Sequence, residues 1–335
     1  MTKLTIAIPT YDRNRQLREN LEILIPQLTA ECSLLIIDNC SPQPVEPDVR
    51  DLLDRLPANV DYRVIRNRVN VGGAANVLRC FEHCQTEWLW VLGDDDFVAS
   101  EAILMLFSAI REKPEAVFIN FPNTNRHRNG IFRSTGIIDF VEKIDDFGDI
   151  LWISMGIYRA EPFLPHLRFG YFYSIAPHVG MLLRTLMAGG EVCFRQEHIV
   201  GRPGIGQWSG LKYALGIMEL LELPMEHRTR CLLATKILAA APGIKQLILQ
   251  AVFYAARSGD RDAALWIYDQ MYFRYFYMDT RRATHWRYRL YRWLVAYPSA
   301  GKNLVTWYMR MRHGAETSSV LLANAERASD IYVRL

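Results

Sequence analysis

"WLWVLGDDDF", residues 88–97, joins a run of large apolar side chains to three consecutive carboxylates through one glycine. The apolar half reads as a strand buried on both faces. The acidic half is self-repelling: Asp94, Asp95 and Asp96 need a positive partner to stay charged side by side. Such a trio at a strand end has two readings. It is a solvated turn leading into a helix, where acidic residues suit the helix dipole. Or it holds a hard divalent cation, Mg²⁺ or Mn²⁺, which takes oxygen ligands and leaves room for water and substrate phosphate.

The neighbouring segments set the context. Short β-rich runs at 4–10, 33–39, 61–67, 87–93 and 116–120 alternate with helical patterns. The first helix carries Leu17, Leu21, Leu24 and Leu28 on one face, and others are expected at 48–56, 72–84 and 100–112. Strict β/α alternation with apolar strands predicts an α/β fold built on a mainly parallel central sheet. Ligands of such sheets bind at the carboxyl ends of the strands. Pro9-Thr10-Tyr11, Asp38-Asn39 and Gly93 to Asp96 all follow strands, so they should converge on one crevice. Beyond residue 121 the pattern loosens, and from 211 it becomes helical. A division into 1–210 and 211–335 follows, with no internal repeat.

Composition fits a globular chain: 335 residues, 50% hydrophobic, 22% charged, net charge +3. The six cysteines form no C-x-x-C pair, and "MTKLTIAIPTYDR" enters a strand without a signal-peptide pattern, so a reducing, cytoplasmic setting is expected. The apolar stretch 237–256 is interrupted by Pro242, Gly243, Lys245 and Gln246 and reads as a buried helix rather than a span.

Four motifs in order, "IAIPTYDR" (6–13), "LLIIDNCSP" (34–42), "NRVNVGGAANVLRC" (67–80) and "WLWVLGDDD" (88–96), resemble those of family 2 glycosyltransferases of the GT-A fold. The Gly-Asp-Asp-Asp form is similar to the branch near bacterial abequosyltransferases and other surface-polysaccharide enzymes. The resemblance implies a GT-A nucleotide-binding layer followed by a helical C-terminal region. It implies that Pro9, Thr10 and Tyr11 line the nucleotide base and that Asp38 accepts a hydrogen bond from it. Arg13, Gly72 and Asn76 would border the nucleotide pocket. Asp94 and Asp96 would be the two carboxylates of a D-x-D motif, Asp94 toward ribose or metal, Asp96 on the metal, with Asp95 between them beside the nucleotide-sugar. The plain readings stand beside these: Asp38 as the cap of the turn "DNCSP", Gly72-Gly73 as a tight turn into a helix. "NVGGAAN" is not the dinucleotide fingerprint.

Inverting transfer needs a general base for the acceptor hydroxyl. The family's acidic pair is replaced here by Pro177-His178, which makes His178 the candidate base, with Asp149 and Glu161 in reserve. His198 is a candidate third metal or phosphate contact. The loop 201–208 offers Arg202 for phosphate and Trp208 for sugar stacking.

Residues 271–313 interleave arginines with tyrosines and tryptophans, with Asp279 the one acid among them. Such helices suit an anionic membrane surface, where a lipid-linked acceptor would reside, or else the core or dimer interface of a helical region. Nucleic acid is not expected as a partner. The expectation is a metal-dependent inverting glycosyltransferase using a nucleoside-diphosphate sugar. The rivals are a scaffold protein on a degenerate GT-A domain and a nucleotidyltransferase, although "PTYDRNR" lacks the glycines of a phosphate loop.

Overall fold

A parallel ladder of strands organises the first part of the chain. The computed structural model describes residues 3–124, 126–173, 175–202, 216–240, 244–276, 285–320 and 322–323. Two units are distinguished, Met1–Gly206 and Gln207–Leu335.

In the first unit the strands are β1 (Leu4–Thr10), β2 (Cys32–Asp38), β3 (Asp61–Arg66), β4 (Trp88–Val91), β5 (Phe97–Val98), β6 (Ala116–Asn120), β7 (Phe132–Thr135), β8 (Gly156–Arg159), β9 (Glu191–Phe194) and β10 (Val200–Arg202). Eight form one sheet in the order β3-β2-β1-β4-β8-β6-β9-β7, and β5 pairs with β10. Pairings β1–β2, β2–β3, β1–β4 and β6–β9 are parallel. Central β1 buries Leu4, Ile6, Ala7 and Ile8, on both faces, as a parallel strand covered by helices must. The helices are α1 (Asn14–Leu24), α2 (Val45–Leu53), α3 (Gly73–Glu82), α4 (Ala102–Glu112), α5 (Gly136–Lys143), α6 (Phe147–Leu151), α7 (Ala160–Phe163), α8 (Leu167–Gly170) and α9 (Pro177–Met187). α1 stops before Leu28 because Pro26, lacking an N–H, sits in a 3₁₀ turn at Ile25–Gln27.

Register positions the strand-end residues. Thr10 pairs with Asp38, so β1 and β2 end level. β4 pairs with β1 only as far as Val91 opposite Ala7, and the Leu92 N–H continues to the Ala7 carbonyl at 2.9 Å. The chain thereby runs on beside β1 and delivers Asp94 to Thr10.

Sequence periodicity misses β5, β7, β8, β9 and β10, and of these β8 matters most for the site. It inserts between β4 and β6, antiparallel to both, after an irregular segment. Gly156 is required there: a Cβ would lie 2.3 Å from the Phe118 ring. The segment before β8, containing Trp152 and Ser154, is thus carried to the carboxyl edge of β4.

In the second unit the described helices are α10 (His227–Ala240), α11 (Ile244–Ser258), α12 (Arg261–Phe276), α13 (His285–Ala296) and α14 (Pro298–His313). Part of the aromatic content is internal: the Tyr288 ring lies 4.7 Å from that of Tyr272 and 5.8 Å from that of Tyr268. No helix among the described residues is long and apolar enough to cross a membrane.

Candidate functional site

The cation that answers the acidic trio is Arg13. It lies in the turn between β1 and α1, and its Nη1 sits 2.8 Å from Asp94 Oδ1 and 2.9 Å from Asp95 Oδ2. The Thr10 hydroxyl donates to the other Asp94 oxygen, Oδ2, at 2.8 Å. Asp94 is buried, and that burial raises its pKa; Arg13 and Thr10 oppose the rise but do not cancel it. Burial works against the Arg13 charge too, yet Asp94 and Asp95 outweigh it and raise the guanidinium pKa. The result is a buried carboxylate sharing one cation with its neighbour.

Asp96 is turned to different partners. Its Oδ2 accepts from Trp152 Nε1 at 2.8 Å and from Ser154 Oγ at 2.6 Å. The same Ser154 oxygen accepts the Gly93 N–H at 2.8 Å. Asn20 of α1 holds the other side of the turn, donating from Nδ2 to the carbonyls of Gly93 and Asp96 at 3.2 and 3.0 Å. Gly93 has to be glycine: a Cβ would come within 2.7 Å of Asp96 Oδ2. Trp152, Ser154 and Asn20 are the site residues that sequence reasoning missed. They lie on an irregular segment and on a helix, and their types carry no motif.

Asp38 is buried at the end of β2. Its Oδ1 accepts the Ser41 N–H at 2.8 Å, the turn cap that was the plain reading, and its Oδ2 pairs with Arg66. Arg66 also donates to the Ser41 carbonyl at 2.7 Å, so the turn is clasped from two sides. Behind it lies a network of asparagines. Asn67 Nδ2 donates to Asn39 Oδ1 and to Asn76 Oδ1, both at 2.9 Å, and Asn76 Nδ2 donates to the Ile37 carbonyl at 3.1 Å. Asn76 is therefore a buried strut between β2, the β3 end and α3, not an exposed wall of the pocket. Gly72, with φ +85°, opens α3 into free space, and Tyr11 is exposed. Pro9, opposite Ile37 in the β1–β2 ladder, completes the strand-end row.

With this geometry in hand, the comparison is direct: residues 5–172 match the family model described as "Glycosyl transferase family 2". The chain belongs to glycosyl transferase family 2. Among curated relatives, an uncharacterized glycosyltransferase of Haemophilus influenzae is 29% identical over 119 residues, which are 36% of this chain and 38% of that protein. Abequosyltransferase RfbV of Salmonella typhimurium is 28% identical over 107 residues, 31% of each chain. The matches thus span little more than a third of those relatives at most. Solved structures extend further. TarS 1-349 of S. aureus gives a TM-score of 0.58 at 12% identity, over 94% of this chain and 92% of that one. The mannosyltransferase PcManGT of Pyrobaculum calidifontis, in complex with GDP-Man and Mn²⁺, gives 0.51 at 10% identity, over 98% and 86%. The fold is GT-A.

For a family 2 protein, the fit to a divalent cation rests on the donor set. Asp94 and Asp96 supply hard carboxylate oxygens at one glycine-tight turn. Among the described residues no three His, Cys, Asp or Glu side chains gather closely enough to enclose a metal themselves.

The histidines need correction. The His198 ring is engaged elsewhere: Nδ1 is 3.3 Å from the Pro122 carbonyl oxygen, and the ring meets His127 edge to face at 5.9 Å. It does not join Asp94 and Asp96. His178 lies inside α9 and is 4% exposed. Its Nε2 is 3.1 Å from the Leu151 carbonyl and 3.3 Å from that of Ile150, and Nδ1 is buried without a partner. Burial pushes its pKa down to about 4. A neutral ring facing two carbonyls carries its proton on Nε2 and donates it, so it is a brace for α6 rather than a base reaching substrate. Asp149 is also buried, accepting from Asn123 Nδ2 at 3.0 Å and pairing with Arg128 at 3.3 Å, and burial raises its pKa. Glu161 lines a cavity with Thr86, Glu87 and Arg159, beside the amino end of β4 and opposite the aspartates. β10 brings the Arg202 backbone opposite Phe97, while Trp208 lies outside the described residues.

Proposed function

We propose that this chain transfers a sugar from a nucleoside-diphosphate donor to a hydroxyl of a lipid-linked or surface-polysaccharide acceptor, with inversion and with a divalent cation. The observation that carries the reading is the separation of duties in the acidic turn. Asp94 and Asp95 share Arg13, while Asp96 is held by Trp152 and Ser154, all at the carboxyl edge of β1 and β4. Similar proteins support it: an abequosyltransferase, and a mannosyltransferase in complex with GDP-Man and Mn²⁺.

A divalent cation, Mn²⁺ or Mg²⁺, held by Asp94 and Asp96 would supply positive charge to the leaving diphosphate. The chain's own residues do the rest. Thr10 fixes one Asp94 oxygen, and Trp152 with Ser154 fixes one Asp96 oxygen, so both carboxylates are oriented before substrate arrives. Arg13, already among the carboxylates, presents N–H donors suited to phosphate oxygens. Asp38, level with Thr10, holds the turn that shapes the base end of the pocket, and exposed Tyr11 and Gly72 form its rim.

The test is release of nucleoside diphosphate from UDP-, GDP-, CDP- and dTDP-sugars, with and without Mn²⁺. Metal-dependent release from one donor class supports the proposal. No release from any, by folded protein and in the presence of membrane extract as acceptor, would favour the scaffold alternative.

A further inference from the structure

Helix α14 displays an apolar stripe to solvent. Leu304, Trp307, Tyr308 and Met311 recur at spacings of three, one and three, within one face of a 3.6-residue helix. Trp307 is 60% exposed and Met311 72%. The opposite face is the packed one: Val305 joins Leu249 and Phe253, and Lys302 Nζ lies 5.0 Å above the Phe253 ring. On the preceding helix α13, Trp286, Leu290 and Trp293 form a second exposed stripe, with Trp286 61% exposed. Its other side is packed through Leu294 and Val295. The helices meet closely at their junction, where a Cβ on Gly301 would lie 2.2 Å from the Leu294 carbonyl oxygen. Exposed tryptophans in two adjacent stripes are not what water alone selects.

Charge distinguishes the possible occupants. Residues 285–315 contain five arginines, one lysine and no Asp or Glu. Arg310 and Arg312 are exposed and lie on either flank of the α14 stripe, and exposed Arg289 sits within the α13 stripe. A second copy of this face would bring arginines against arginines. An anionic bilayer offers what both features need: an interfacial zone for indole and phenol rings, and phosphate headgroups for guanidinium groups at their margin.

We propose that the exposed faces of α13 and α14 are a docking surface for an anionic membrane, bound in the plane of the interface. This deepens the lipid-linked acceptor reading above and rests on it for its purpose, but the surface is testable without catalysis.

The full chain is sedimented with vesicles of phosphatidylcholine alone and of phosphatidylcholine with about a third phosphatidylglycerol. The prediction is binding about tenfold stronger to the anionic vesicles, weakened by salt, with a blue shift of tryptophan emission. Trp307→Ala with Met311→Ala should weaken binding and reduce the shift, leaving the part contributed by Trp286 and Trp293. Arg310→Glu with Arg312→Glu should remove the preference for anionic lipid. Both pairs are exposed, and unchanged circular dichroism with unchanged nucleotide-diphosphate release from donor in detergent-free solution shows that the fold and site persist. Equal binding to both vesicle types, or binding untouched by either pair, would overturn the proposal. So would a dimer in sedimentation equilibrium that Trp307→Ala with Met311→Ala dissociates, with no vesicle binding. Vesicle binding without any sugar transfer would leave this surface standing and count against the proposed function instead.

Discussion

Trp152 Nε1 donates to Asp96 Oδ2 at 2.8 Å, across 56 residues of sequence. The indole belongs to the segment between α6 and β8, so the orientation of the second D-x-D carboxylate depends on how β8 enters the sheet. A hydrogen bond to a charged acceptor contributes about 1.5–3 kcal/mol. Trp152→Phe keeps the ring and removes the donor. It should lower kcat/KM by about 10- to 100-fold, with circular dichroism unchanged. Ser154→Ala should do at least as much harm, because Ser154 also accepts the Gly93 N–H. Steady-state kinetics at saturating Mn²⁺ checks both.

Thr10→Val bears on pH. The proposed role needs Asp94 ionised, and burial raises its pKa from the ordinary carboxylate value. Activity should therefore fall as pH drops through that raised pKa. Thr10 lowers the pKa by donating to Oδ2, so removing the hydroxyl should move the acid limb of the rate profile to higher pH. A limb that stays in place, or moves down, would show that Asp94 is not the group being titrated.

His178 makes a different kind of prediction. Its folded pKa is depressed to about 4, against an ordinary value near 6.5. In that window the unfolded chain takes up a proton that the folded chain refuses, so stability is present above about pH 6.5 and is lost as pH falls toward 4. The full loss is on the order of 3 kcal/mol. His178→Gln should flatten this dependence in denaturant unfolding at pH 7 and pH 5, while the rate profile near pH 6.5 keeps its shape. Loss of an acid limb near pH 6.5 in the variant would restore the imidazole to a catalytic role as base.

Arg13→Ala removes a cation paired to both Asp94 and Asp95. Donor KM should rise, by about tenfold for one lost charge-assisted contact to phosphate, and Asp94 should become harder to ionise. Arg13→Lys should recover only part of the affinity, since an ammonium lacks the planar fork.

The convergence of Thr10, Asp38 and Asp94 was legible because parallel strands of apolar residues end together, and those three follow such strands. Trp152 and Ser154 were not: "ILWISMGIYR" carries neither a period of 2 nor one of 3.6, and the strand it leads into inserts against the chain order. His178 was expected as the base because Pro177-His178 stands where the family's acidic pair would be. The better signal was the apolar run around it. Val179, Met181, Leu182 and Leu183 leave α9 no solvent face over its first two turns, so a histidine among them is buried with them. Asn76 was expected to border the pocket, but its partners, Asn67 and the Ile37 carbonyl, lie on two other parts of the chain, and no local spacing reveals such a strut.

The most direct test is calorimetric titration of UDP, GDP, CDP and dTDP into the wild-type chain and into Asp96→Asn, each with and without Mn²⁺. The account predicts that one nucleotide binds the wild type in a metal-dependent manner and that Asp96→Asn loses the metal dependence while staying folded. Binding by none of the four, or binding that neither the metal nor the substitution alters, would contradict it.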